Sequence, residues 1–199
     1  AKAIELLQEL LEAEPQFTEA LELLGQAHES QGEWDEAAAA YERAVTGSPR
    51  RTRYRRQLAN ALLNAGQLVR ALDVLRELVR LGPDDAGGWY SLSALELRLE
   101  HYDEAESAAE RLVDIEPDGL PGAYALSNAF GAKRQYQDMV DVLEPAIQRA
   151  RELEGAPSQI ANLLQRLSVG HRQLGDHTAA IDALTGAVAL TPANLRLQA

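Results

Sequence analysis

The sequence contains no cysteine, which excludes disulfide bonds, thiolate catalysis and cysteine-ligated zinc or iron–sulfur sites. The compartment stays open, because a cysteine-free chain suits the cytoplasm and the periplasm alike. The sequence also lacks any run of about 18 apolar residues that would cross a membrane as a helix. Residues 1–14 have neither the basic start nor the cleavage site of a signal peptide. We therefore expect no membrane insertion.

Positive charge is scarce as well: 19 lysines and arginines stand against 31 acidic residues, for a formal net charge of −12. A chain this acidic is repelled by phosphate backbones and anionic lipid, which argues against nucleic-acid and membrane-surface binding. The only lysines are Lys2 and Lys133, and the bias to arginine, alanine and leucine is typical of GC-rich bacterial genomes. Apolar residues make up 46% of the chain, which is ample for a globular core.

An interval of 34 residues recurs along the chain. It separates four prolines (Pro15, Pro49, Pro83 and Pro117) and four alanines (Ala3, Ala37, Ala71 and Ala105). Within each period, apolar residues recur three and four positions apart, which indicates helices. A turn divides two such helices, and proline ends the second because it lacks the backbone donor. The sequence therefore predicts a series of helical hairpins.

This pattern resembles the tetratricopeptide repeat family, whose period is helix–turn–helix. The residues that carry the resemblance most clearly are Leu21, Leu24, Gly25, Gly32, Trp34, Ala37, Tyr41, Ala44 and Pro49. The resemblance covers essentially the whole chain and implies an all-α, right-handed α-solenoid. By this resemblance, residues 1–199 form a single array of repeats. The parts are the second helix of a partial repeat at 1–17, repeats at 18–51, 52–85, 86–119, 120–160 and 161–194, and the start of a further repeat at 195–199.

The array departs from its period in one place. Pro117 and Pro192 are 75 residues apart, which is two periods plus seven. Seven residues make about two helical turns, so we expect the helices that flank Gly155 to be elongated without loss of phase. The seven extra residues have two interpretations: an insertion that the fold tolerates, or a functional feature that protrudes to contact a partner or changes the superhelical pitch. The sequence shows no polar capping helix at either end of the array. We therefore expect that the chain is a segment of a larger protein, or that self-association covers the apolar end faces.

No set of residues favours catalysis, a cofactor or a metal. The histidines His28, His171 and His177 are interpreted as packing residues, because no two of them have the i, i+4 spacing of a helical metal pair. Most carboxylates fall on exposed helix faces. Phosphate-binding loops, dinucleotide fingerprints and serine elbows are absent from the sequence. We therefore expect a protein that is not an enzyme and binds no cofactor.

The resemblance implies that the first helices of the repeats line a concave groove that receives an extended peptide or a helix. The residues expected to contact this ligand are Arg53, Arg56, Asn60, Asn64, Tyr90, Arg98, Tyr124, Asn128 and Arg166. Arginine forms forked bonds to carboxylates, the asparagine amide suits a peptide backbone, and tyrosine offers flat apolar area. The alternative interpretation is that all nine residues are ordinary solvent-exposed helix positions without a ligand.

The run of arginines from Arg50 to Arg56 has three interpretations: pairing with acidic neighbours, capture of an acidic partner and, in third place, RNA binding. RNA binding is the least favoured, because Tyr54 is the only base-stacking aromatic residue within the run. The carboxylate clamp of co-chaperone family members is not expected. Arg56 and Asn60 resemble its first pair, but Ser91, Pro121 and Ala125 occupy the remaining places.

The sequence thus predicts a protein–protein interaction scaffold that binds an extended or acidic peptide segment of a partner. Two alternatives stay open. One is a regulatory or substrate-presenting region of a larger enzyme, of the glycosyltransferase or sulfotransferase type. The other is a self-assembly module that forms a homo-oligomer.

Overall fold

A computed structural model describes residues 2–191 of the chain. Ala1 and residues 192–199 lie outside the described residues, and with them Pro192 and the predicted start of a further repeat at 195–199. Within residues 2–191 the chain forms eleven α-helices and no strand, which confirms the all-α, helix–turn–helix fold class.

The helices are joined by short turns. Their bounds are α1 (Lys2–Ala13), α2 (Thr18–Glu29), α3 (Trp34–Gly47), α4 (Thr52–Asn64), α5 (Leu68–Leu81), α6 (Ala86–Arg98), α7 (Tyr102–Ile115), α8 (Leu120–Ala132), α9 (Tyr136–Glu152), α10 (Pro157–Leu174) and α11 (His177–Leu190). The chain divides into two compact units, residues 1–88 and 89–199, and the boundary falls inside α6. The division into repeats made from the sequence stays a prediction.

In the first unit α1 packs against α2, α2 against α3, α3 against α4 and α4 against α5. The core contains Leu21, Tyr41 and Tyr54, each at most 1% exposed. Gly25 is what lets α2 and α3 approach so closely, because a Cβ atom there would lie 2.5 Å from a ring carbon of Tyr41. The turn after α2 passes through Gly32 at φ +75°, a left-handed conformation that costs glycine little.

In the second unit α7 to α11 also pack in sequence, and α10 contacts α8 as well. The core is formed by aliphatic side chains of α9 and α10, among them Met139, Leu143, Leu163 and Leu167. These two helices have 17 and 18 residues, whereas the second helices α3, α5 and α7 have 14 and the first helices α4 and α8 have 13. The expected elongation around Gly155 is therefore confirmed, and longer helices take up the extra residues.

The phenol of Tyr41 makes the first unit sensitive to alkaline pH. Tyr41 is 0% exposed, and its burial raises its pKa well above the ordinary value of 10, with the charge of Glu29 adding to the shift. The folded state thus holds this proton more tightly than the unfolded state does. The stabilisation is complete below about pH 10 and is lost above it, at about 1.4 kcal/mol per pH unit.

We expect Tyr41→Phe to remove this part of the pH dependence. Urea unfolding of both proteins between pH 9 and pH 11.5 should show about 2 kcal/mol less loss for the variant at the upper end. Tyr90→Phe, at a tyrosine that is 38% exposed, is the control. Parallel pH profiles for wild type and Tyr41→Phe would contradict the assignment.

Candidate peptide-binding surface

In the first unit, four of the predicted contact residues lie on α4. Arg53, Arg56, Asn60 and Asn64 are all exposed and follow one another along the helix at spacings of three or four residues. The opposite face of α4 buries apolar residues, including Leu58 and Leu62, against its neighbours. The helical period therefore fixes which side chains face outward.

Arg53 is already engaged by a carboxylate of its own unit. Its Nη2 lies 2.5 Å from an Oε1 atom of Glu22 on α2. Glu22 is only 7% exposed, and the same oxygen accepts hydrogen bonds from Gln57 Nε2 at 2.8 Å and from Gln26 Nε2 at 3.2 Å. This cluster ties α2 to α4 and neutralises the charge of Arg53.

Arg56 and Asn64 also have partners within the first unit. Arg56 Nη2 donates to Asp85 Oδ2 at 2.5 Å, and Asn64 Nδ2 donates to the carbonyl oxygen of Asn60 at 2.8 Å. Arg55 is buried, and its guanidinium donates to the carbonyl oxygen of Pro49. For Arg53 and Arg56, the structure thus shows pairing with acidic neighbours.

Two other arginines of the run from Arg50 to Arg56 lack, among the described residues, the acidic partners that Arg53 and Arg56 have. Arg50 and Arg51 are exposed, and neither forms an ion pair with any residue in the range 2–191. They remain available to an acidic partner.

In the second unit, three predicted residues meet at one cavity. Arg98 of α6, Asn128 of α8 and Arg166 of α10 line a space of about 430 Å³. That volume lies within the range of about 300–1,000 Å³ that is common for ligand sites. Gly131 leaves room in this wall, since a Cβ atom there would lie 3.1 Å from Arg166 Nη2.

Arg166 has the most unusual environment of the three. Its side chain is half-buried, and its Nη2 donates to the carbonyl oxygen of Ser127 at 2.9 Å. Its Nε is fully buried and has no hydrogen-bond partner among the described residues. Burial lowers the pKa of this guanidinium, because the charged form loses hydration.

Tyr90 and Tyr124, which were predicted to contact a peptide, are not among the residues that line this cavity. Tyr90 of α6 is 38% exposed, and Tyr124 of α8 packs partly against the core of the second unit. The tyrosines that line the cavity are Tyr102 and Tyr136, the first residues of α7 and α9. The sequence carried a signal for them, because they occupy the same place in the repeat as Trp34, the first residue of α3.

Other kinds of site were also considered for the described part of the chain. Residues 2–191 contain no group of three or more histidine or acidic side chains placed to hold a metal ion. No helix in that range is long and apolar enough to cross a membrane.

Comparison with protein families gives a consistent result. Three family models, each described as a tetratricopeptide repeat, match residues 1–51, 30–96 and 86–118. Together they cover the chain without a break from residue 1 to residue 118, more than half of its 199 residues.

A curated relative and several solved structures are similar to the chain. The TPR repeat-containing thioredoxin TTL4 of Arabidopsis thaliana is 36% identical over 100 residues, a match that takes in 50% of this chain and 14% of that protein. The chain therefore spans about one-seventh of the length of this relative.

Among solved structures, MamA from Desulfovibrio magneticus RS-1 has a TM-score of 0.75 at 20% identity, covering 91% of this chain and 96% of that one. YrrB, described as a TPR protein with an unusual peptide-binding site, has a TM-score of 0.71 at 14% identity, covering 95% and 94%. A protein of nearly identical TPR-like repeats from Podosopora anserina has a TM-score of 0.75 at 19% identity, covering 92% and 98%. At these identities the similarity shows a shared fold.

Proposed function

Because the chain belongs to the tetratricopeptide repeat family, we propose that it is a non-catalytic scaffold that binds an extended, acidic segment of a partner protein. The observation that carries this proposal is the cavity of the second unit, where Arg98, Asn128 and Arg166 converge. Its two arginines are cations in a chain of net charge −12, and neither forms an ion pair within residues 2–191. A ligand that carries carboxylates supplies the missing negative charge.

The first unit contributes a different kind of surface. On α4 the charges of Arg53 and Arg56 are balanced by Glu22 and Asp85. Arg53 and Arg56 remain exposed and still carry hydrogen-bond donors, and the exposed amide of Asn60 on the same helix adds another donor. We therefore assign the electrostatic selection of the acidic segment to the cavity of the second unit, and α4 is a separate hydrogen-bonding surface of the first unit. The peptide-binding site named for YrrB supports a peptide ligand for this fold.

The experiment that tests this function compares two matched variants. Arg98→Glu/Asn128→Ala changes the cavity, whereas Arg151→Glu/Gln148→Ala changes exposed positions on α9. Affinity capture from the source organism, read by quantitative mass spectrometry, should identify partners bound by wild type and the α9 variant alike. Loss of one charge-assisted contact costs about 1.5–3 kcal/mol, so the cavity variant should bind them at least about tenfold less.

Equal capture by all three proteins would contradict the proposed site. Far-ultraviolet circular dichroism of each variant checks that the helices are retained. Peptide arrays of the captured partners then test the acidic segment directly: binding peptides without an enrichment in aspartate or glutamate would contradict that part of the proposal.

One alternative has support from the comparisons. The curated relative is a thioredoxin that contains TPR repeats, so repeats of this kind do occur in a larger protein of another class. A regulatory or substrate-presenting region of a larger enzyme, such as a glycosyltransferase or sulfotransferase, therefore stays an alternative, and the full-length gene decides it. Self-assembly into a homo-oligomer is a further prediction, which the mass in solution tests.

A further inference from the structure

Two partly buried cations among the described residues of the second unit differ in whether an opposite charge lies beside them. The Lys133 side chain, 26% exposed, donates from Nζ to Asp103 at 2.6 Å and to Glu106 at 2.7 Å. Arg166 is also half-buried, but its one hydrogen bond to a described residue goes to the neutral carbonyl of Ser127. A charge removed from water without an opposite charge is costly to keep. In a chain with 31 acidic residues, this missing partner marks Arg166 as a candidate receptor.

The donors of Arg166 are only partly used. A guanidinium carries five N–H groups, and one nitrogen, Nη2, serves Ser127. The Nε atom is buried without a partner among the described residues, and the side chain lines the 430 Å³ cavity. Because Nε is enclosed, the groups that an acceptor in the cavity reaches are the terminal Nη groups, of which only Nη2 has a described partner.

The surroundings of Arg166 specify which acceptor fits. Arg98 adds a second positive charge to the cavity, and Asn128 adds an amide. Glu100, at the turn after α6, is the single carboxylate among the lining residues. It is exposed and forms no ion pair with Arg166. Leu97, Val169 and the ring of Tyr136, each partly buried, give the cavity apolar walls.

We propose that this cavity binds one carboxylate group, with the Arg166 guanidinium as its receptor and Arg98 as the second cation. This assignment rests on the proposed function and names the ligand chemistry at one place on the surface. An aspartate or glutamate side chain and a C-terminal carboxylate share that chemistry. The bound carboxylate accepts from the unused N–H groups of Arg166 and neutralises its charge.

The test uses three small probes and the nitrogen resonances of the protein itself. N-acetylaspartate amide carries a side-chain carboxylate, N-acetylglycine carries a terminal one, and N-acetylasparagine amide carries none. In a ¹⁵N-labelled sample, the Nε–Hε signal of Arg166 should shift and saturate at millimolar concentrations of a carboxylate probe, as expected for one or two contacts. The asparagine probe should bind at least tenfold more weakly.

Three variants accompany the titrations. Arg166→Gln removes the receptor, Arg166→Lys keeps the charge but loses the fork, and Arg172→Gln changes an exposed arginine of the same helix. Carboxylate binding, followed at the side-chain amide of Asn128, should weaken at least tenfold in Arg166→Gln. It should weaken less in Arg166→Lys and stay unchanged in Arg172→Gln. A saturable response to either carboxylate probe supports the proposal and identifies the source of the carboxylate.

The outcomes that overturn the proposal are equally concrete. One is the absence of a shift at Arg166 with both carboxylate probes while the protein remains folded. Another is an equal response to the asparagine probe. Thermal unfolding without a probe provides an independent check: since the unpaired charge is costly, Arg166→Gln should leave Tm unchanged or raise it, and a marked fall would assign Arg166 a structural role.

The inference and the proposed function fail separately. Probe binding at Arg166, together with partner capture that is insensitive to Arg98→Glu/Asn128→Ala, keeps the carboxylate site and rejects the cavity as the surface that binds the captured partners.

Discussion

Truncation of Tyr41 to alanine is expected to lower the free energy of unfolding by about 3–5 kcal/mol, the usual cost of deleting a large aromatic side chain from a core. Tyr41 is 0% exposed and lies against Gly25 of the preceding helix. Its removal leaves a cavity between α2 and α3. Because the two helices are already in close contact at Gly25, they cannot move together to fill it. Urea unfolding followed by the fluorescence of Trp34, in a Trp89→Phe background, reports on the first unit alone.

The converse change at Gly25 should also be costly in the wild-type background. A Cβ atom at Gly25 would lie 2.5, 2.6 and 2.9 Å from three ring carbons of Tyr41. Overpacking of this kind costs about 1–3 kcal/mol, which exceeds the gain of about 1 kcal/mol that alanine brings to a helix over glycine. Gly87→Ala is the control, because outside the adjoining helix backbone the nearest atom to a Cβ there is Asp85 Oδ1 at 3.5 Å.

A double-mutant cycle isolates the contact between the two residues. With Tyr41 truncated, the added methyl group of Gly25→Ala meets no ring, and its helix preference should raise the stability of the Tyr41→Ala protein. The sign of the Gly25→Ala effect therefore reverses between the two backgrounds. The same cost in both backgrounds would show that Gly25 is required for a reason other than the ring of Tyr41.

The fold was predictable from the sequence because its signals are local. The spacing of apolar residues and the positions of Pro49 and Pro83 act within one hairpin. Even the elongation around Gly155 followed from counting residues between two prolines. Such signals depend on covalent neighbours and on a helical period, and both can be read from one sequence.

The electrostatic state of the candidate site was not predictable in the same way. Arg53 and Arg166 are equivalent on sequence grounds, since both are arginines on a first helix. Glu22, which neutralises Arg53, is 31 residues away in the sequence, and no corresponding carboxylate reaches Arg166 within residues 2–191. The distinction depends on packing between helices, which determines which carboxylate is within reach of which guanidinium.

Glu22 offers the second large effect, because its carboxylate is buried and accepts from donors on two helices. Glu22→Ala should lower the free energy of unfolding by about 2–4 kcal/mol, since hydrogen bonds to a charged group contribute about 1.5–3 kcal/mol and the bonds are not additive. The donors left behind are Gln57 Nε2, Gln26 Nε2 and Arg53 Nη2. Urea unfolding monitored at Trp34 measures the change, and Glu19→Ala, at an exposed carboxylate in the first turn of α2, is its control.

Arg53 and Gln57 should contribute unequally to that effect. The side chain of Arg53 is 70% exposed, so its ion pair belongs to the surface class that contributes about 0–1 kcal/mol. Gln57 is half-buried, and its amide is held between α2 and α4. We therefore expect Arg53→Gln to cost less than about 1 kcal/mol and Gln57→Leu to account for a larger share of the Glu22→Ala loss. If Arg53→Gln reproduces the whole loss instead, the ion pair rather than the buried amide joins the two helices, and Arg53 cannot serve a partner without destabilising the first unit.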